Sequence, residues 1–388
     1  MADPGVVTIA KKEFFDHIRS RKFLVLLGIL LIIAIVGMLN GVADYHERVK
    51  WYDEIQKYSS PADDDSTPLN SYLKVKPSVL IVFYQMSTLV AVIGGILGIA
   101  MGFDLITKEK ESKSLKLLLA HPAYRDEVIN GKAIGGMAAI ALALGVVLVA
   151  SLALLLILGL VPDVSECAMI LLFSLVTFLY IFTCFAIALL MSTLCEESGK
   201  ALIYSLIIFV VLGSLVPAVI NSPLVMASIL GGKPEMPVVI IDQMMGLAEL
   251  PQNQVMTQNR TETQIGTLNR DAWDRYNQQL REYGNRELGL KEIQYLVSPT
   301  RNYEKIATCL TSPAWTRIVL YRSTGESLVQ KIDNQGRRIW VSIDYEPKID
   351  YDFSGILSLI TGNLIALLIF PSVFFGLAYI SFMKMDIR

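Results

Sequence analysis

The chain has 388 residues, 53% of them hydrophobic, and a mean hydropathy of +0.49. That apolar share exceeds the roughly 45–50% usual for a soluble domain and predicts that something other than water solvates much of the surface. A net charge of −2, from 34 basic and 36 acidic residues, leaves no basic footprint for a phosphate backbone and excludes nucleic acid as a partner.

Residues 1–22 are a charged segment ahead of the first apolar stretch. The stretch from Lys11 to Lys22 is too long and too acidic for the basic region of a cleavable signal, so the apolar segment after it is expected to remain as a membrane anchor. A bilayer core of about 30 Å needs roughly 20 apolar residues per helix. Six windows free of internal Lys and Arg meet that length: 23–42, 78–103, 133–161, 167–194, 201–220 and 355–383. Between them fall a loop at 43–77, a compact charged connection at 104–132, short turns near 162–166 and 195–200, and a polar insert at 222–354. The expected organisation is therefore a charged N-terminal segment at 1–22, five spans over 23–221, an inserted domain at 222–354, and a sixth span with a short tail at 355–388.

Basic residues in short flanks set orientation. One side collects Lys11, Lys12, Arg19, Arg21, Lys22, Lys108, Lys110, Lys113, Lys116, Arg125, Lys132, Lys200, Lys384 and Arg388, and should be cytoplasmic. The loop at 43–77 carries five basic residues against seven acids, including Asp63, Asp64 and Asp65. Both termini are then inside the cell and 222–354 lies outside the plasma membrane. The sequon Asn259-Arg260-Thr261 falls in that external insert and makes Asn259 a candidate glycosylation site.

Within the insert, Asp271 to Tyr283 spaces Trp273, Tyr276, Leu280 and Tyr283 as on a helix. Ser298-Pro299 supplies an N-cap and a first-turn proline for a second amphipathic helix through Tyr303, Ile306, Ala307 and Leu310. Alternation over Ser327 to Ile332 and Arg338 to Tyr345, across Asp333-Asn334-Gln335-Gly336, predicts a hairpin. The expected fold class is an all-α polytopic membrane protein with six transmembrane helices and a small α+β external domain between the fifth and the sixth.

The charged connection carries the most information. Leu115, Leu118 and Leu119 make an apolar stripe on an otherwise charged helix that Pro122 ends. On periodicity alone this helix either docks on a partner or lies in the headgroups. The acidic pair Glu109 and Glu111, Ser114 before Leu115, the Leu118-Leu119 run, Pro122, Arg125 and Gly131-Lys132 together resemble the cytoplasmic loop of type-2 ABC-transporter permeases. The N-terminal segment, with Lys12, Glu13, Phe14, Arg19 and Arg21, resembles that family's elbow helix. The resemblance implies that Glu109, Glu111, Ser114, Leu115, Leu118 and Arg125 belong to the region that couples to a separate ATPase subunit. Lys113 departs from the pattern, which commonly has glycine there. The resemblance further implies a dimer with a second permease copy or close relative, ATP and magnesium on the partner subunit, an external element near Ser298-Pro299, a possible external substrate-binding protein, and export of a lipophilic or amphipathic substrate.

No catalytic or cofactor machinery is expected in the chain itself. Gly131-Lys132-Ala133, Gly199-Lys200-Ala201 and Gly232-Lys233-Pro234 lack the hydroxyl residue and upstream glycine spacing of a phosphate-binding loop. His46-Glu47 starts like a zincin helix but meets Lys50 where the second histidine belongs. The four cysteines have no metal-site spacing. No Asp or Glu lies deep in a window, which argues against an ion-coupled carrier. An ATP-independent carrier and a membrane-anchored binding or force-transmitting module remain the alternatives to the permease. Glycines 94, 98 and 102, and Gly131, Gly135 and Ala139, recur every four residues and predict close helix packing, within one subunit or at a dimer seam. Pro217 predicts either a bend or an end in the fifth span.

Overall fold

The computed structural model describes residues 5–58, 77–113, 124–234, 261–311, 328–332, 338–342 and 353–385. Six of its helical segments are long and apolar enough to cross a membrane: Arg21–Glu54, Ile81–Glu111, Arg125–Ile157, Val164–Leu194, Ser198–Ile220 and Gly355–Lys384. They overlap the six expected windows one for one.

Helix α1 (Gly5–Arg19) precedes α2 (Arg21–Tyr58), which contains the first span. The second span is α3 (Ile81–Leu89), a π turn (Val90–Gly94) and α4 (Gly95–Gly102), followed by the short α5 (Thr107–Glu111). The third and fourth spans are α6 (Arg125–Ile157) and α7 (Val164–Leu194). The fifth is α8 (Ser198–Val210), a second π turn (Val211–Leu215) and α9 (Val216–Ile220). Then come α10 (Pro223–Leu230), the long α11 (Thr261–Val297), α12 (Pro299–Thr311), strands β1 (Leu328–Ile332) and β2 (Arg338–Ser342), and the sixth-span helix α13 (Phe353–Lys384).

Two boundaries differ from expectation. Residues 43–58, read as loop, continue α2, and residues 125–132, read as connection, form the first two turns of α6. Both stretches are charged, and helix continues through charge when flanking turns meet water or paired partners. The first turn of α6 is fixed by Glu127, whose Oε2 accepts from the Tyr124 amide at 3.1 Å. The α7 start is similar: Asp163 accepts from the Val164 amide, and Glu166 Oε2 accepts from the Asp163 amide.

The glycine repeats serve packing within the subunit. A Cβ on Gly98 would stand 2.6 Å from the Ile181 carbonyl oxygen, and one on Gly102 2.7 Å from that of Phe185, so α4 lies against α7 backbone to backbone. Gly131 and Gly135 play the same part for α1: added Cβ atoms would stand 2.7 Å from Ile9 Cγ2 and from Glu13 Cβ. The fifth span changes register rather than ending at its proline. Val216 donates to Val211, five residues back, in the turn before Pro217, which has no amide to give to Gly213.

Helix α12 is the insert's contribution to the bundle. Its Tyr303, Ile306, Ala307 and Leu310 are buried, as the spacing predicted, but against the spans. Tyr303 stacks on Tyr180 of α7 with ring centroids 4.6 Å apart, and its hydroxyl lies 3.2 Å from Thr177 Oγ1. Tyr180 donates its hydroxyl to the Ala91 carbonyl in the first π turn, and Thr300 Oγ1 lies 3.4 Å from that hydroxyl. Asn302 Nδ2 donates to the Asn363 carbonyl of α13 at 3.1 Å. Ser298 starts the helix, taking the Arg301 amide on its hydroxyl and the Asn302 amide on its carbonyl. The insert is thus not wholly separate from the transmembrane bundle. The Asp271–Tyr283 helix exists as part of the longer α11. The hairpin is also present, antiparallel, with Leu328 opposite Ser342 and Ile332 opposite Arg338. Residues 343–345 of the expected second strand lie outside the described residues.

Candidate functional site: the interlock at the roots of the charged loop

The charged connection joins the end of the second span to the start of the third. Ser114, Leu115 and Leu118 lie outside the described residues, as does Asn259. The roots of the loop are described, and most of their charges are engaged.

Lys132 sits two turns into α6 with a side chain only 3% exposed. Its Nζ is 2.6 Å from Glu13 Oε1 on α1 and 2.8 Å from Glu109 Oε1 on α5. One cation thus ties the N-terminal helix to both roots of the loop. The glycines at 131 and 135 make this possible, since without side chains they let α1 approach closely enough for Glu13 to reach Lys132. A second pair runs alongside: Lys22 Nζ is 2.8 Å from Asp104 Oδ1 and lies 4.3 Å above the centre of the Phe103 ring. His17 sits between the two pairs, and burial pushes its imidazole below the ordinary value of 6.5, although Glu13 pulls the other way.

The neighbouring residues of α5 grip the turn between the fourth and fifth spans. Lys110 Nζ donates to the carbonyls of Thr193 at 2.6 Å and Cys195 at 2.8 Å, placing a cation on the C-terminal end of α7. Glu111 Oε1 accepts from the Ser198 amide at 2.5 Å, placing an anion on the N-terminal end of α8. Ser192 Oγ takes the amides of Ile106 and Thr107, and Ser198 Oγ lies 3.0 Å from Thr107 Oγ1. Burial raises the Cys195 thiol's pKa, against the downward pull of Lys110 and Lys200. On the other root, Arg125 donates to the carbonyls of Met385 at 2.9 Å and Met383 at 3.3 Å, where α13 ends.

Of the residues read from the sequence, Glu13 and Glu109 therefore meet at Lys132, while Glu111 and Arg125 anchor the two roots of the loop to the start of α8 and the end of α13. Phe14 packs against the core beside them, edge to face with Phe15 at 5.6 Å, and Arg19 lies over that Phe15 ring. Lys12, Arg19 and Arg21 are exposed and stand apart from the Lys132 and Lys22 ion pairs. Sequence reading missed the central roles of Lys132, Lys110 and the pair Lys22–Asp104. Lys132 stood at the apparent edge of an apolar window, where a basic residue reads as a flank. A signal was available in the glycines on either side of it. Lys113 has φ +57, the left-handed region. The family pattern's glycine at that position answers a real backbone demand.

Six helices long and apolar enough to cross a bilayer, tied together at one end by buried charge, define a polytopic membrane protein. The match to known families specifies which kind: the model of the ABC-2 family transporter proteins covers residues 7–387, and the chain belongs to that family. No curated protein matches it.

Proposed function

We propose that this chain is the permease subunit of an ATP-driven exporter in the plasma membrane, with both termini cytoplasmic. A separate ATPase subunit, holding ATP and magnesium, docks on residues 114–123, and a second permease copy completes the pathway. The observation that carries this reading is the interlock. The roots of the loop are tied at once to α1 through Lys132, to the α7–α8 turn through Lys110 and Glu111, and to the end of α13 through Arg125. A push on the loop is therefore delivered to the fourth, fifth and sixth spans together. Such a coupled shift is what alternating access requires. Apolar spans suit an amphipathic cargo, and the exposed basic residues Lys12, Arg19 and Arg21 suit a headgroup layer beneath α1.

Docking and transmission separate experimentally. Co-expressed with an ABC-type ATPase subunit from the same genome, the wild-type chain is expected to co-purify with that subunit, and Leu115→Asp with Leu118→Asp to abolish the complex. Lys132→Met should leave the complex intact and uncouple substrate-stimulated ATP hydrolysis. A wild-type chain that forms no complex, or a double variant that still forms one, would sink the proposal.

A further inference from the structure

The end of α11 and the whole of α12 form a helical hairpin with a tip at Val297–Thr300. Its depth follows from its partners. Thr300 reaches Tyr180 and, through it, Ala91, which lies 10 residues inside the second span, about 15 Å below its start at 1.5 Å per residue. A Cβ on Gly213 would stand 2.9 Å from Thr300 Oγ1, and Gly213 is 7 residues, about 10 Å, from the end of the fifth span. Asn302 meets Asn363, 8 residues or about 12 Å inside the sixth. The tip thus lies about 10–15 Å inside the outer ends of three spans, in the outer half of the bundle. Exposed Ile293, Leu296 and Val297 at the end of α11 fit that depth.

Against this setting, one face of α12 is anomalous. Asn302, Tyr303, Ile306, Ala307, Cys309 and Leu310 face inward, while Arg301, Glu304, Lys305 and Thr308 line the opposite side at helical spacing. Arg301 Nη1 is 2.8 Å from Glu304 Oε2, with the side chains 44% and 32% exposed. Lys305 Nζ is 2.5 Å from Glu292 Oε1 of α11 and lies over the Tyr295 ring at 4.7 Å. Arg301 and Glu304 are therefore presented outward beside the tip, and Lys305 and Glu292, each five residues from it and about 7 Å nearer the outer surface, continue the stripe along the hairpin. Ionisable groups at such depth face water or polar partners.

We propose that this face lines a water-filled path open to the outer side, and that it hands a zwitterionic headgroup of the cargo across the outer half of the membrane. The pairs suit a zwitterion because each can open and close again on one molecule. The ligand's anion replaces Glu304 on Arg301 and its cation replaces Arg301 on Glu304, so no charge stands unpaired. This rests on the permease reading for its cargo but on packing and charge for its geometry.

The test uses the full chain in right-side-out membrane vesicles, with Cys167→Ser and Cys195→Ser to lower background. Arg301→Cys and, independently, Thr308→Cys are exposed to a membrane-impermeant methanethiosulfonate, with Val149→Cys on α6 as the apolar comparison. Both stripe positions should label and position 149 should not. At Thr308→Cys, which keeps both Arg301 and Glu304, lysophosphatidylcholine should cause loss of labelling, and monoacylglycerol and lysophosphatidylglycerol of equal chain length should not. No labelling at either stripe position overturns the path. Labelling that all three amphiphiles block alike, or that none blocks, overturns the zwitterion. Neither readout needs an ATPase, so failure of the permease reading would show separately, as absence of the complex.

Discussion

Lys132 holds two carboxylates in a nearly dry site, and breaking such an arrangement from one side costs about 3 kcal/mol because the remaining charges stay buried without a partner. Its contribution to stability is smaller than that figure, since the pairing also had to offset desolvation. Its value is geometric: it fixes where α1 meets the loop. Lys113 is the opposite case, a residue whose side chain is exposed while its backbone is strained. Only glycine takes a φ of +57 without a clash at Cβ, and other residues lose roughly 1 kcal/mol there. Lys113→Gly should therefore raise the thermal midpoint of the detergent-solubilised protein, and Lys113→Val should lower it. An unchanged midpoint for both would show that no strain is held at this turn.

At the scale of elements, α1 belongs to the bundle because two glycines on α6 make room for it. A Leu side chain at 135 would start 2.7 Å from Glu13 Cβ and 2.8 Å from the Ala10 carbonyl oxygen, so α1 must move outward and Glu13 leaves Lys132. Gly135→Leu should accordingly expose the N-terminal helix to limited proteolysis. Gly145→Ala on the same helix has nothing within 4 Å of the new Cβ and should leave cleavage unchanged. Equal protection in both variants would mean that α1 is held by something other than this contact. The two π turns fit the same pattern. Each lies where a span meets α12, with Ala91 bonded to Tyr180 and Gly213 against Thr300, and each re-aims one carbonyl or one face toward the inserted hairpin.

For the whole molecule, α12 is the keystone on the side away from the charged loop. Tyr303 touches α7 by ring stacking and by hydroxyl, and its neighbours reach the second, fifth and sixth spans. Tyr303→Ala should cost about 3 kcal/mol through the cavity it leaves. Tyr303→Phe, which keeps the ring and loses only the Thr177 contact, should cost about 1 kcal/mol. Thermal midpoints in detergent separate the two, and an Ala variant as stable as the Phe variant would show that the stacked ring carries none of the packing. Any trimming of the insert intended to probe its outer part must spare residues 292–311.

The six spans, their order and the placing of charge at their ends were legible in the sequence alone, because a hydrocarbon solvent imposes length and composition segment by segment and needs no knowledge of partners. The hairpin and the cap at Ser298-Pro299 were legible for a similar reason, since turn and cap chemistry acts over a few residues. The partners of each charge were not. Glu13, Glu109 and Lys132 are separated by up to 119 positions in the chain, and only packing of α1 onto the glycine face of α6 brings them within 3 Å. The same holds for α12, whose pattern marked one buried face but not what buries it. Periodicity records that a face is covered, whereas the identity of the cover depends on contacts between distant segments, which only the tertiary structure decides.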